Sequence, residues 1–289
     1  MSDSTVTSPG GREEEVVPQA VTGEGEGRFL RRLRAPRRPR LWFEILLIAV
    51  SYWTYSLIRN AVPEQRGKAL RNAEWVWRTE HALGIAVEES INHAMNSVTW
   101  LIVGMNYYYA TLHFVATLGV LVWLYRSHPG RYAAARLALF ATTGVALVGY
   151  YLFPLAPPRL MAGGHFVDTV TVHHTWGSMA SGDLKHVSNQ YAAMPSMHIG
   201  WSLWCGLTIF ALAKVPWVRV VGMVYPAVTL LVIVSTANHF WLDAVGGVLC
   251  LTFGFSMTRL WYGALPYDLP RLAPARPRER RLPSWAQAS

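Results

Sequence analysis

The sequence predicts an all-α, polytopic membrane protein: a bundle of six membrane-spanning helices. Three observations predict it. Over 289 residues, 52% are hydrophobic and only 15% charged, a balance that suits a multi-pass membrane chain better than a soluble domain. Six apolar runs approach or exceed the roughly 20 residues needed to cross a bilayer: 41–58, 98–125, 132–153, 197–213, 217–235 and 240–262. The arginines crowd beside those runs, seven within 28–40 and five within 271–281.

Residues 1–40 form a tail whose first 27 positions are polar, Gly-rich and acidic. They lack the apolar stretch of a signal peptide and are expected to be disordered. Residues 41–262 then form the six-helix membrane domain, and 263–289 a basic C-terminal tail. The net charge of +9 raises nucleic-acid binding as an option. Basic flanks beside apolar spans instead orient the chain and attract anionic lipid headgroups, so the expected partner is the bilayer and not nucleic acid.

Orientation follows from the same charges. With both tails cytoplasmic, the short basic links 126–131 and 214–219 also fall inside. The loops 59–97 and 154–196 then face outward. The stretch 74–91 in the first of these reads as an amphipathic helix on or near the membrane. The second run, with Tyr107, Tyr108 and Tyr109, is overlong and reaches an interface. Cys205 and Cys250 sit inside apolar runs as small core residues, not as a disulfide framework.

Chemistry-bearing residues gather on the outer side. Pro154-Leu155-Ala156-Pro157-Pro158-Arg159 stops the third span and presents a planar guanidinium suited to phosphate oxygens. Ala193-Met194-Pro195-Ser196-Met197-His198 opens the fourth, with Pro195 suited to a first helical turn and Ser196 a hydroxyl donor or N-cap. A helix N-terminus there offers N–H groups to an anion, and His198 could protonate a departing alkoxide. Asn238-His239-Phe240-Trp241-Leu242-Asp243 opens the sixth, with Asn238 as N-cap. The four-residue spacing puts His239 and Asp243 on one face, where the carboxylate can fix the imidazole tautomer. Gly246-Gly247 reads as close helix packing.

Each feature has a plainer alternative: Arg159 as a headgroup anchor, His198 as a structural histidine. His165, His173, His174 and His186 lie in the outer loop, but their spacing is irregular and no metal-ligand motif is present, so no metal and no other cofactor is expected. A haem held by His113 and His198 would leave Arg159 and the His239–Asp243 pair unexplained.

Taken together, these strings resemble the type 2 phosphatidic acid phosphatase superfamily. Pro195-Ser196-Met197-His198 is similar to its Pro-Ser-Gly-His motif, and His239-x-x-x-Asp243 to its third motif. The fuller strings, 189–198 and 238–243, look closer to the branch containing inositol phosphorylceramide synthases and their bacterial relatives. The resemblance covers about 41–262. Two departures stand out: Leu152 and Leu160 flank Arg159 where the phosphatase pattern has lysine and proline, and Ile233 occupies the place of an arginine. Lys185 in the outer loop is a candidate for one missing charge.

The resemblance implies a metal-independent double displacement at the extracytoplasmic face. His239, oriented by Asp243, is the nucleophile; His198 is the acid and then the base; Arg159, Ser196, Lys185 and helix N–H groups hold phosphate oxygens. The substrate is a phospholipid or other lipid phosphate. A lipid hydroxyl as acceptor makes the protein a head-group transferase, the inositol phosphate type being the nearer resemblance. Water makes it a phosphatase acting on phosphatidic acid or an isoprenyl phosphate. A non-catalytic, lipid-binding membrane protein is the alternative of another class. The outer loop 162–189 is read as a lid.

Overall fold

A computed structural model describes residues 40–61, 65–161, 163, 165–175 and 190–272. Lys185, His186, most of the loop 162–189 and most of both tails lie outside the described residues. Nine α-helices follow along the described chain: α1 (Leu41–Ala61), α2 (Arg66–Ala82), α3 (Glu88–Asn96), α4 (Thr99–Ser127), α5 (Pro129–Leu152), α6 (Thr169–Val172), α7 (Met197–Leu212), α8 (Pro216–Ser235) and α9 (Trp241–Tyr262). The one β feature among them is an isolated bridge between Leu155 and Ala192.

Four helices, α4, α5, α8 and α9, are long and apolar enough to cross a membrane, and Leu41–Thr54 and α7 are shorter apolar helices. Each falls within a few residues of a predicted run. The outward faces carry apolar side chains, among them Trp42, Trp53, Val115, Leu118, Trp217, Val220, Leu249 and Leu260. An exterior this apolar suits lipid, not water. The all-α architecture is that of a multi-pass membrane protein.

Inside the bundle, small residues let helices approach closely, because apolar burial does not drive association between helices in lipid. At Gly254 of α9, a Cβ would stand 2.3 Å from Thr142 Oγ1 and 2.4 Å from the Ala138 carbonyl of α5. At Gly206 of α7, it would stand 2.5 Å from the Gly222 carbonyl of α8. The Trp204 indole donates to the Ala135 carbonyl at 2.9 Å, tying α7 to α5. Glu44 of α1 is buried in an ion pair with Arg136 of α5, and the Tyr132 hydroxyl donates to it at 2.9 Å. A buried carboxylate needs such partners.

The amphipathic stretch differs from the sequence reading. It starts earlier than 74 and consists of two helices, α2 and α3, not one. Gly84 sits at φ +69°, a left-handed conformation open to glycine, and Ile85 N–H closes back onto the Glu80 carbonyl at 3.0 Å. That termination turns the chain between α2 and α3. The buried stripe of α2 is Ala69, Ala73, Val76 and Glu80; Arg71, Glu74, Trp75 and Arg78 are exposed on the other side. A carboxylate thus ends an otherwise apolar face.

Candidate active site

Backbone hydrogen bonds knit the three sequence motifs together. Leu155 N–H donates to Tyr191 O at 2.9 Å, and Ala193 N–H to Leu155 O at 3.2 Å. Arg159 N–H donates to Ala237 O at 3.0 Å, and Ser196 N–H to Asp243 O at 2.9 Å. Segments distant in sequence are thereby held at one end of the bundle. Pro195 fits against two glycines: a Cβ at Gly149 would stand 2.7 Å from its Cδ, and one at Gly246 would stand 3.1 Å from its Cβ.

His239 is buried, as is Asp243. Its Nδ1 lies 3.1 Å from Asp243 Oδ2, and the same oxygen accepts the Phe240 N–H at 3.0 Å. An ionised carboxylate only accepts, so Nδ1 carries the proton and Nε2 keeps its lone pair. That Nε2 is buried with no hydrogen-bond partner among the described residues. The His198 ring lies 5.5 Å away, centroid to centroid, and is sandwiched by α4: Tyr109 stacks on it at 4.2 Å and 19°, and His113 contacts it at 4.2 Å. Rings in direct contact leave no space for a haem between His113 and His198. Among the described residues, no group of three or more His, Cys, Asp or Glu gathers as metal ligands.

Arg159 lies in a single 3₁₀ turn, Pro158–Leu160. Its Nε donates to Asn238 Oδ1 at 2.9 Å, and its Nη1 is 3.8 Å from Asp168 Oδ2. The guanidinium is therefore aimed by the residue next to His239. Asn238 is not the N-cap of the last span, as the sequence suggested. Phe240 is, with the Asp243 carboxylate accepting its N–H. Pro195 likewise lies before α7, not in its first turn; Ser196 is the N-cap, and its hydroxyl makes no cap hydrogen bond. The Ser196 Oγ is buried without a partner among the described residues. Ile233, at the place of a phosphatase arginine, is fully buried in an apolar cluster with Ile199 and Ala244.

Two glutamates that sequence reading did not single out complete the surroundings. Glu80 and Glu88 are fully buried. Glu80 Oε1 accepts the Leu242 N–H at 2.8 Å, and Glu88 Oε1 accepts the Trp241 N–H at 3.1 Å. Three consecutive N–H groups, of Phe240, Trp241 and Leu242, thus each meet a different carboxylate. The N–H groups at the start of α9 are therefore taken by the protein's own acids. The first turn of α7 carries no acidic residue and is the better seat.

Neither Glu80 Oε2 nor Glu88 Oε2 has a donor among the described residues. A hydrogen bond between the two side chains, sharing one proton, satisfies both. Burial, then this bond and the neighbouring charges, pushes the Glu80 carboxyl up from 4.5 to about 9. The folded protein thus holds a proton that the unfolded chain gives up above about 4.5. This contribution to stability is full below that value, declines as pH rises and is lost by about 9. Between pH 7 and 9.5, the thermal midpoint of the wild type is expected to fall more steeply than that of Glu80→Gln. Parallel curves would count against the shared proton.

Gly247 has the tightest link to the site. A Cβ there would stand 2.4 Å from the Ser196 carbonyl oxygen, which is backbone and cannot swing away. Gly247→Ala is expected to cost about 1–3 kcal/mol and to lower turnover by displacing Ser196 and His198. Unchanged thermal stability in detergent would show that the helices have room to part.

Comparison with known families decides the kinship. The PAP2 superfamily profile matches residues 74–257, nearly two thirds of the chain. The chain belongs to the PAP2 superfamily. Membership implies a membrane enzyme of the phosphatase or phosphotransferase type, with lipid phosphates as substrates. The match begins within α2, takes in α3 and leaves out α1, so it is narrower than the 41–262 resemblance. No curated protein and no solved structure matches the chain.

Proposed function

We propose that the chain is a lipid head-group phosphotransferase working through a histidine nucleophile at the outer membrane face. The carrying observation is His239, whose Nδ1 is fixed by Asp243 at 3.1 Å while its Nε2 remains unpartnered beside His198. In the first half-reaction, Nε2 attacks phosphorus and the bond from phosphorus to the leaving oxygen breaks. His198 delivers a proton to that oxygen. In the second, His198 takes the proton of an incoming hydroxyl, whose oxygen attacks phosphorus as the N–P bond breaks. Arg159, Ser196 and the first turn of α7 hold the phosphate oxygens and stabilise the transition-state charge.

Charge balance supports transfer from a phosphodiester over hydrolysis of a monoester. Arg159 is the cation that the described contacts place at the site, with Asp168 at 3.8 Å from it and Asp243 on His239. A singly charged diester such as phosphatidylinositol suits that balance better than a dianionic monoester. Six spans with both tails cytoplasmic place the site outside: the short basic links 126–131 and 214–219 then fall inside.

The test is an acceptor assay. Purified protein and its His239→Ala variant are incubated with phosphatidic acid, an isoprenyl phosphate, and phosphatidylinositol with diacylglycerol or ceramide. Products are followed by mass spectrometry. A new head-group lipid made only by the wild type is the expected result. Inorganic phosphate without a new lipid overturns transfer in favour of hydrolysis.

A further inference from the structure

The acid pair on α2 and α3 is not used by the chemistry above, yet it contacts the helix that starts at the nucleophile. We propose that Glu80 and Glu88 are positioning residues, an acid pair whose reach fixes the first turn of α9 and through it the aim of His239. This rests on His239 being the nucleophile.

The argument is geometric. Glu80 comes from α2, and Glu88 opens α3, two helices packed beside the membrane domain. Glu80 and Glu88 cross 162 and 153 residues of sequence to adjacent N–H groups. With Asp243 on Phe240 N–H, every N–H from 240 to 242 is fixed by a side chain of set length. His239 immediately precedes this turn, so a shift of the turn moves Nε2 directly. Carboxylates at a helix N-terminus also oppose the macrodipole favourably. Each glutamate meets α9 through a backbone N–H, so its effect on His239 runs through that turn.

Length, not charge, is then the property that matters. Glutamine keeps Oε1 in place for the backbone N–H, and its amide N–H₂ replaces the shared proton. Aspartate keeps the charge but withdraws the oxygen by one methylene. The expected order is therefore the reverse of a charge series. Single Glu80→Gln and Glu88→Gln variants keep kcat within about threefold of the wild type. Glu80→Asp and Glu88→Asp lose about 10- to 100-fold in kcat, the scale of a displacement near 1 Å, with KM within about threefold.

The experiment uses full-length protein with phosphatidylinositol–diacylglycerol vesicles and, separately, phosphatidic acid vesicles, with kcat expressed per folded enzyme. Gln variants active and Asp variants slow at unchanged KM is the expected result. Asp variants matching Gln variants in kcat overturn the proposal while leaving the nucleophile reading intact. Asp variants that do not fold assign the pair to stability alone and also overturn it. A wild type inactive on both vesicles overturns the functional reading, and the positioning role with it.

Discussion

His239→Ala is expected to abolish turnover, by about 10⁴-fold or more, while the protein still folds. The rate loss follows from removing the atom that attacks phosphorus. What survives when such a group is deleted is the modest acceleration from binding and charge stabilisation. The fold is expected to tolerate the change because the imidazole makes one hydrogen bond among the described residues, to Asp243. Asp243 Oδ2 would keep the Phe240 N–H. Losing one donor to a buried carboxylate costs about 1–3 kcal/mol. Two measurements check this: product formation per folded enzyme, and acid-labile label on the protein after incubation with ³²P-labelled lipid. The wild type should trap label and the variant none. A folded variant with full activity would remove His239 from the mechanism.

The helices were legible because the apolar runs are long and are punctuated by charge or proline. Each predicted run lies within a few residues of an observed helix, from Leu41–Ala61 to Trp241–Tyr262. The His239–Asp243 pairing was legible too, since helical spacing alone brings i and i+4 together. Asn238 was misread because its type suits an N-cap. Nothing local reveals that Asp243 takes that N–H and frees Asn238 for Arg159. The acid pair escaped for a different reason. Its partners lie more than 150 residues away, and a lone glutamate in a charged amphipathic stretch reads as solvated. One signal was available: at 69, 73, 76 and 80 the helical stripe runs Ala, Ala, Val, Glu. A carboxylate continuing an apolar face demands a buried partner.

Asp243→Asn separates the charge of this side chain from its hydrogen bonds. In the wild type, Oδ2 accepts both His239 Nδ1–H and Phe240 N–H. An asparagine oxygen in the place of Oδ2 can still accept from both, so the start of α9 and the Nδ1–H tautomer are expected to hold. What is lost is the negative charge facing the ring, which turns cationic when Nε2 bonds to phosphorus. A hydrogen bond to a charged group contributes about 1.5–3 kcal/mol, and a loss of about 10- to 100-fold in kcat is expected here. Asp243→Ala removes the cap as well, at about 1 kcal/mol in addition. Turnover and thermal midpoint must therefore diverge: Asn slow but near wild-type in stability, Ala slow and less stable. An Asn variant that keeps its turnover would show that the charge of Asp243 is not used and that its hydrogen bonds alone matter.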